Sequence, residues 1–215
     1  MVPIASMRRS EYEAFWHGTT LIRWNHAFLL ELGVPDEVLT ALSEWGLPTG
    51  IRAGWLGLAA GHNQDRSDHF GRNLDYCLRL ASPRRDGERY RVFCFAYTVP
   101  ICFDTESNWA VVTMDSGDYD PSPTFKWNNP EAYPPTLRFV NSGPLSFLRS
   151  LTAYERYVRL PLGEDDLAAA QQEIVRLEDT LRETDPVAFS DRESFWPLIC
   201  WDVREDFGLN DSSES

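Results

Sequence analysis

Along the first fifty residues apolar side chains recur every three or four positions, which is the spacing of one buried helix face. Ser10 followed by Glu13 has the form of a capping box, and Leu21, Trp24, Phe28 and Leu32 keep the helical period until Gly33 and Pro35 stop it. A second helix is predicted over 36–45, with Val38, Leu39, Leu42 and Trp45 on one face and Gly46-Leu47-Pro48 as its end. From about residue 50 to 142 the period shortens to alternating or continuous apolar runs, predicting strands over 74–80, 90–97, 99–103, 109–114 and 137–140. Asp104-Thr105-Glu106-Ser107-Asn108 is hairpin material, because short polar side chains bond a turn's own backbone. The stretch 116–135, dense in Pro, Asp and Asn, is too long for a simple hairpin and reads as a functional or partly mobile loop.

Helical spacing returns after Pro144, whose missing N–H is harmless at a first helical position, and Phe147, Leu151, Tyr154 and Val158 carry it over 144–158. The next helix is predicted over 164–184. Three acids open it at the positive end of its dipole, and Leu167, Ala170, Ile174, Leu177 and Leu181 form its apolar stripe. That stripe is short for a coiled coil and is expected to pack on the chain's own sheet. A last helix is predicted over 194–206, with Pro197 in its first turn, and 210–215 reads as a disordered acidic tail. With no internal repeat or low-complexity linker, the expectation is a single α+β domain over 1–209, a central twisted, mostly antiparallel sheet flanked by helices.

Composition narrows the class. At 215 residues with 43% hydrophobic side chains, the chain buries a core without disulfides or a structural metal. No apolar run reaches the roughly 18 residues of a membrane span, and the first residues lack a secretory signal, so a cytoplasmic location is expected. Cys77, Cys94, Cys102 and Cys200 have no CxxC spacing and are expected to be reduced core thiols. The net charge of −13 argues against direct nucleic-acid binding, which needs a basic face. The charge is also uneven: residues 161–215 hold fifteen acids against four arginines, a net of −11.

Candidate chemistry is sparse. Phosphate-loop glycine motifs, a GxSxG elbow and an HExxH pair are all missing from the sequence. His62, Asp65, Asp68 and His69 place two imidazoles and two carboxylates within eight residues, which a divalent cation could use in a metal-dependent hydrolase. The stretch is also strongly polar and lacks the helical spacing that aims two rings at one ion, so a solvated connection is the plainer reading; no cofactor is expected. Asp104, Glu106, Asp115, Asp118 and Asp120 form a second set, in turns where solvation commonly explains Asp and where a general acid and base would need burial to separate them. Interleaved with these acids, Trp109 and Trp127 give the aromatic-beside-charge composition of interface hot spots, although such rings can also fold back over a sheet.

Several segments, in order, resemble the SUKH superfamily, the fold shared by a yeast cell-wall regulator and many bacterial immunity proteins. They are 38–48, ending in Gly46-Leu47-Pro48; Ile101-Cys102-Phe103-Asp104 with Trp109-Ala110-Val111-Val112; and Phe139-Val140-Asn141-Ser142 leading into Leu145-Ser146-Phe147-Leu148. Glu183-Thr184-Asp185-Pro186-Val187-Ala188 with Ser194-Phe195-Trp196 is similar to the tail of the fourth subfamily. The segment 50–71 and the loop 116–135 have no counterpart in that pattern. The resemblance implies a sheet flanked by helices, no catalytic residues, and a role in binding and neutralising a polymorphic protein toxin, often a nuclease or a nucleic-acid deaminase. An acidic inhibitor would be steered toward the basic cleft of such an enzyme, although acidity also serves solubility. The expected partner-binding residues are Asp104, Glu106, Trp109, Asp115, Asp118, Asp120 and Trp127. An intracellular interaction scaffold with no toxin partner is a further alternative.

Overall fold

A computed structural model describes residues 3–48, 51–53, 56–58, 89–96, 99–115, 136–161 and 166–209. The architecture is α+β. In chain order it contains α1 (Arg9–Phe15), β1 (Leu21–Ile22), α2 (His26–Glu31), α3 (Asp36–Leu39), β2 (Leu47–Pro48), β3 (Ile51–Ala53), β4 (Leu56–Leu58), β5 (Tyr90–Ala96), β6 (Val99–Asp104), β7 (Ala110–Asp115) and β8 (Thr136–Asn141). The helices α4 (Pro144–Val158), α5 (Leu167–Thr184) and α6 (Phe195–Asp206) follow. Strands β3 to β8 pair with their sequence neighbours in one antiparallel meander, and β1 pairs with β2 in a separate two-stranded ribbon.

Strand β6 shows why the sheet forms. Ile101 and Phe103 point into the main core, whereas Cys102 between them faces the opposite side, the period of two expected of a pleated strand. Between Val92 and Cys94 the pairing with β6 slips by one residue, leaving Phe93 as the extra residue of a β-bulge. Phe93 stacks on Phe103 at a centroid distance of 4.1 Å and meets Phe147 of α4 edge-on at 5.4 Å. This aromatic column fixes α4 across the sheet, since offset and edge-on ring pairs add to the burial of their area.

Helix α4 is the hub. Pro144 occupies its first turn, and Phe147, Leu148, Leu151 and Tyr154 are buried along with Ser150, Thr152 and Glu155, so much more than one stripe of the helix is covered. On its other side lies the N-terminal segment: Trp16 Nε1 donates to Thr152 Oγ1 at 3.1 Å, and Tyr12 donates its hydroxyl to the Gly46 carbonyl at 2.8 Å. Helix α5 buries Ala170, Ile174, Leu177 and Leu181 chiefly against α4, α6 and the short turns Ile4–Ser6 and Pro186–Phe189, rather than against the sheet as expected. Leu167 departs from the predicted stripe and is 47% exposed, because it is the first residue of the helix and lies beyond the covered turns.

The helix expected through Leu21 to Leu32 is interrupted. Leu21 and Ile22 pair with Pro48 and Leu47, and the helix starts at His26, where Asn25 accepts from the Phe28 N–H at 3.1 Å. Gly46 is essential to this ribbon: its φ is +81°, and a Cβ there would lie 2.8 Å from the Ile22 carbonyl oxygen. The preceding helix ends in a π turn over Thr40–Trp45, with the Gly46 N–H donating to the Ala41 carbonyl at 2.9 Å. At α1 the cap sits two residues earlier than Ser10 and Glu13 suggest, with Glu11 accepting from the Arg8 N–H at 2.7 Å. The expected strand over 74–80 and the tail 210–215 lie outside the described residues, as do Cys77 and 116–135. Cys102 and Cys200 are buried, and burial pushes the Cys200 thiol up, away from the reactive thiolate.

Candidate protein-binding surface

The β6–β7 connection is built from the top of the sheet. Antiparallel pairing sets Tyr90 opposite Asp104 and Asp104 opposite Ala110, so the carboxylate of Asp104 lies between the start of β5 and the following turn. Arg89 clamps it with two parallel bonds: Nε donates to Oδ1 and Nη2 to Oδ2, each at 2.8 Å. Ser107 Oγ donates to Oδ2 at 2.8 Å, and the Glu106 N–H donates to Oδ1 at 3.2 Å. Burial pushes the Asp104 carboxyl up, but the Arg89 guanidinium, the Ser107 hydroxyl and the Glu106 N–H outweigh it and hold the group below the usual Asp value.

Asp104 is therefore placed differently from a surface contact residue. It is 4% exposed and its oxygens serve the turn, so it acts as the anchor from which its neighbours are presented. Glu106 is the residue held outward: its side chain is 66% exposed while its carboxylate touches Arg89 Nη1 at 3.0 Å. Asn108 and Trp109 both adopt the left-handed backbone region, with φ of 52° and 59°. Asn enters that region readily; a bulky indole does so only when its surroundings hold it there. Trp109 is held by the core, half-buried and tilted against Phe103 at 5.8 Å, so one part of the ring covers the sheet and the rest reaches solvent.

Asp115 ends β7, opposite Thr136, at the other end of the strand from the turn. The structure thus brings together Asp104, Glu106 and Trp109 and sets Asp115 apart from them. Asp118, Asp120 and Trp127 lie outside the described residues, and so does the His62 to His69 cluster. Among the described residues, no group of three or more His, Cys, Asp or Glu side chains is placed to hold a metal ion, and no helix is long and apolar enough to cross a membrane. Arg89 is the member that sequence reasoning missed. Its signal was available only through pairing, since a cation just before β5 meets the acid at the end of β6.

A second polar constellation is buried where β8 passes into α4. Asn141 Nδ2 donates to Asp185 Oδ2 at 3.0 Å and to Ser150 Oγ at 3.2 Å, and Trp196 Nε1 donates to Asn141 Oδ1 at 2.9 Å. Ser142 adds its backbone N–H to Asp185 Oδ2 at 2.6 Å and its hydroxyl to Oδ1 at 2.7 Å. Each buried polar atom named here has a partner, so the node specifies how β8, α4 and the start of α6 meet rather than offering a reactive group. Asn141, Ser142, Asp185 and Trp196 all belong to the segments that carry the SUKH resemblance.

A family model described as SUKH-4 immunity protein matches residues 11–202. That span includes β1 to β8, α2 to α5 and most of α1 and α6. No curated protein and no solved structure matches the chain.

Proposed function

The chain belongs to the SUKH-4 immunity protein family, and from that premise we propose that it neutralises a protein toxin by covering the toxin's working surface, making and breaking no bonds itself. Membership supports the toxin-neutralising role, and families of this kind are generally non-catalytic. The partner we propose is a nuclease or a nucleic-acid deaminase, met in the cytoplasm. An enzyme acting on nucleic acid carries a basic cleft, and a chain of net charge −13 is drawn to such a cleft and can occupy its phosphate path. The match over residues 11–202 is the observation that carries this reading.

For the contact surface we propose Glu106 and Trp109, with Asp104 as the positioning residue behind them, and as further contacts Asp115, at the opposite end of β7, with Asp118, Asp120 and Trp127. A turn fixed before binding loses little freedom on docking, which favours affinity. The test is growth of cells that express the toxin encoded beside this gene, with and without the chain, followed by titration of the purified pair. Protection, stoichiometric binding that weakens with salt, and a roughly tenfold loss of affinity in Glu106→Lys are expected. Cells killed equally fast with and without the chain would overturn the reading.

A further inference from the structure

Arg89 is fixed at both of its ends. Its carbonyl accepts from the Thr105 N–H at 2.8 Å, and its Nε and Nη2 are committed to Asp104, a side chain only 6% exposed. A planar guanidinium gripped along one edge cannot turn, so the direction of its third nitrogen, Nη1, is set by the fold before any partner arrives. That nitrogen meets Glu106 Oε2 at 3.0 Å.

An ordinary exposed ion pair must order two long side chains for a small gain. Here the buried carboxylate of Asp104 has already ordered the cation, and only the Glu106 side chain loses freedom. The fold does not depend on this contact: Asp104 keeps Nε, Nη2, the Ser107 hydroxyl and the Glu106 N–H without it, and water would solvate a carboxylate whose side chain is 66% exposed. Its effect is directional. Trp109, three residues on, is set by its packing on Phe103, so the carboxylate and the indole stand in a constant relation to each other.

We infer that Arg89 is a positioning residue for toxin binding, acting through Glu106, whose carboxylate it holds in its docking direction ahead of the encounter. The inference rests on the toxin-binding reading above and on Glu106 as a contact. Charge and position predict opposite effects on affinity here. Arg89 is a cation on the side that meets a basic cleft, so its removal strengthens the attraction and speeds association. The same removal frees Glu106, which must then be ordered on docking, and the complex comes apart faster.

The experiment measures association and dissociation rates of the full chain with a catalytically inactivated form of the toxin encoded beside its gene. Arg89→Gln is expected to associate at least as fast as wild type and to dissociate about fivefold faster, the scale of ordering one long side chain. In a Glu106→Ala background the same substitution is expected to leave dissociation unchanged, because a residue acting through Glu106 has nothing left to position. Arg89→Gln dissociating like wild type, or speeding dissociation equally in both backgrounds, overturns the inference; the second result marks a purely structural role. If Glu106→Ala itself binds like wild type, the inference falls and the toxin-binding reading survives. A wild-type chain that does not bind the toxin overturns both. Should Arg89→Gln fail to fold, Arg89→Lys decides, since it keeps the charge without the fork. Dissociation about fivefold faster at an unchanged association rate then supports the inference, and wild-type dissociation overturns it.

Discussion

Asp104 and Asp185 are both almost fully buried, at 4% and 3% exposure, yet they meet different company. Asp104 receives a bidentate guanidinium from a residue fifteen positions away, within one hairpin system. Asp185 receives three neutral donors from Asn141 and Ser142, more than forty positions away, at the meeting point of three elements. The first arrangement shapes a surface turn and keeps Arg89 partly in water, where ion pairs add little to stability. The second closes the core. Without Asp185 the donors of Asn141 and Ser142 lose an acceptor where water is scarce, and unmet donors cost more than an ion pair whose guanidinium stays partly in water.

The largest effect should come from Asp185→Ala, with about 3 kcal/mol lost in urea unfolding. A loss below about 1 kcal/mol would show that solvent replaces the carboxylate and would erase the contrast with Asp104. Asp104→Asn should cost about 1–2 kcal/mol, the scale of hydrogen bonds to a charged group. It should also change the acid limb of stability. Because the folded pKa is depressed, the folded state binds fewer protons than the unfolded chain; this stability is complete above the ordinary Asp value of 3.8 and is lost as pH falls through the depressed one. Melting curves from pH 6 to pH 2 should therefore fall less steeply for Asp104→Asn than for wild type. Smallest is Trp196→Phe, which removes the donor to Asn141 Oδ1 while keeping most of the ring's burial; about 1 kcal/mol is expected by the same urea assay.

What could be read from the sequence follows the range of the forces involved. Helix α4 was legible because Phe147, Leu151 and Tyr154 are spaced by the helix's own period and Pro144 marks its start. Strands β5 and β6 were legible from β-branched and aromatic runs. Leu21 kept a helical spacing yet entered a strand, because its pairing with Pro48 is decided by a segment twenty-seven positions away and by the positive φ of Gly46. Trp109 read as the start of a strand but lies in the turn, where packing on Phe103 overrides its β preference. At the candidate surface, five acids looked alike in sequence. Only the pairing of β5 with β6 separates Asp104, spent on Arg89, from Glu106, held outward. The Asn141 node left no periodic signal at all, since its members come from separate elements; its residues stood out only through the family resemblance.

The bond from Trp16 to Thr152 has a consequence for how the polypeptide is made. These side chains are separated by 136 residues, and Trp16, 1% exposed in the finished fold, gets its bonding partner only when α4 is present. At roughly 5–20 residues per second of synthesis, the Trp16 indole waits on the order of ten seconds for its partner helix to leave the ribosome. Nascent chains shorter than about 160 residues thus display an indole that the finished protein conceals, a target for chaperones during that interval.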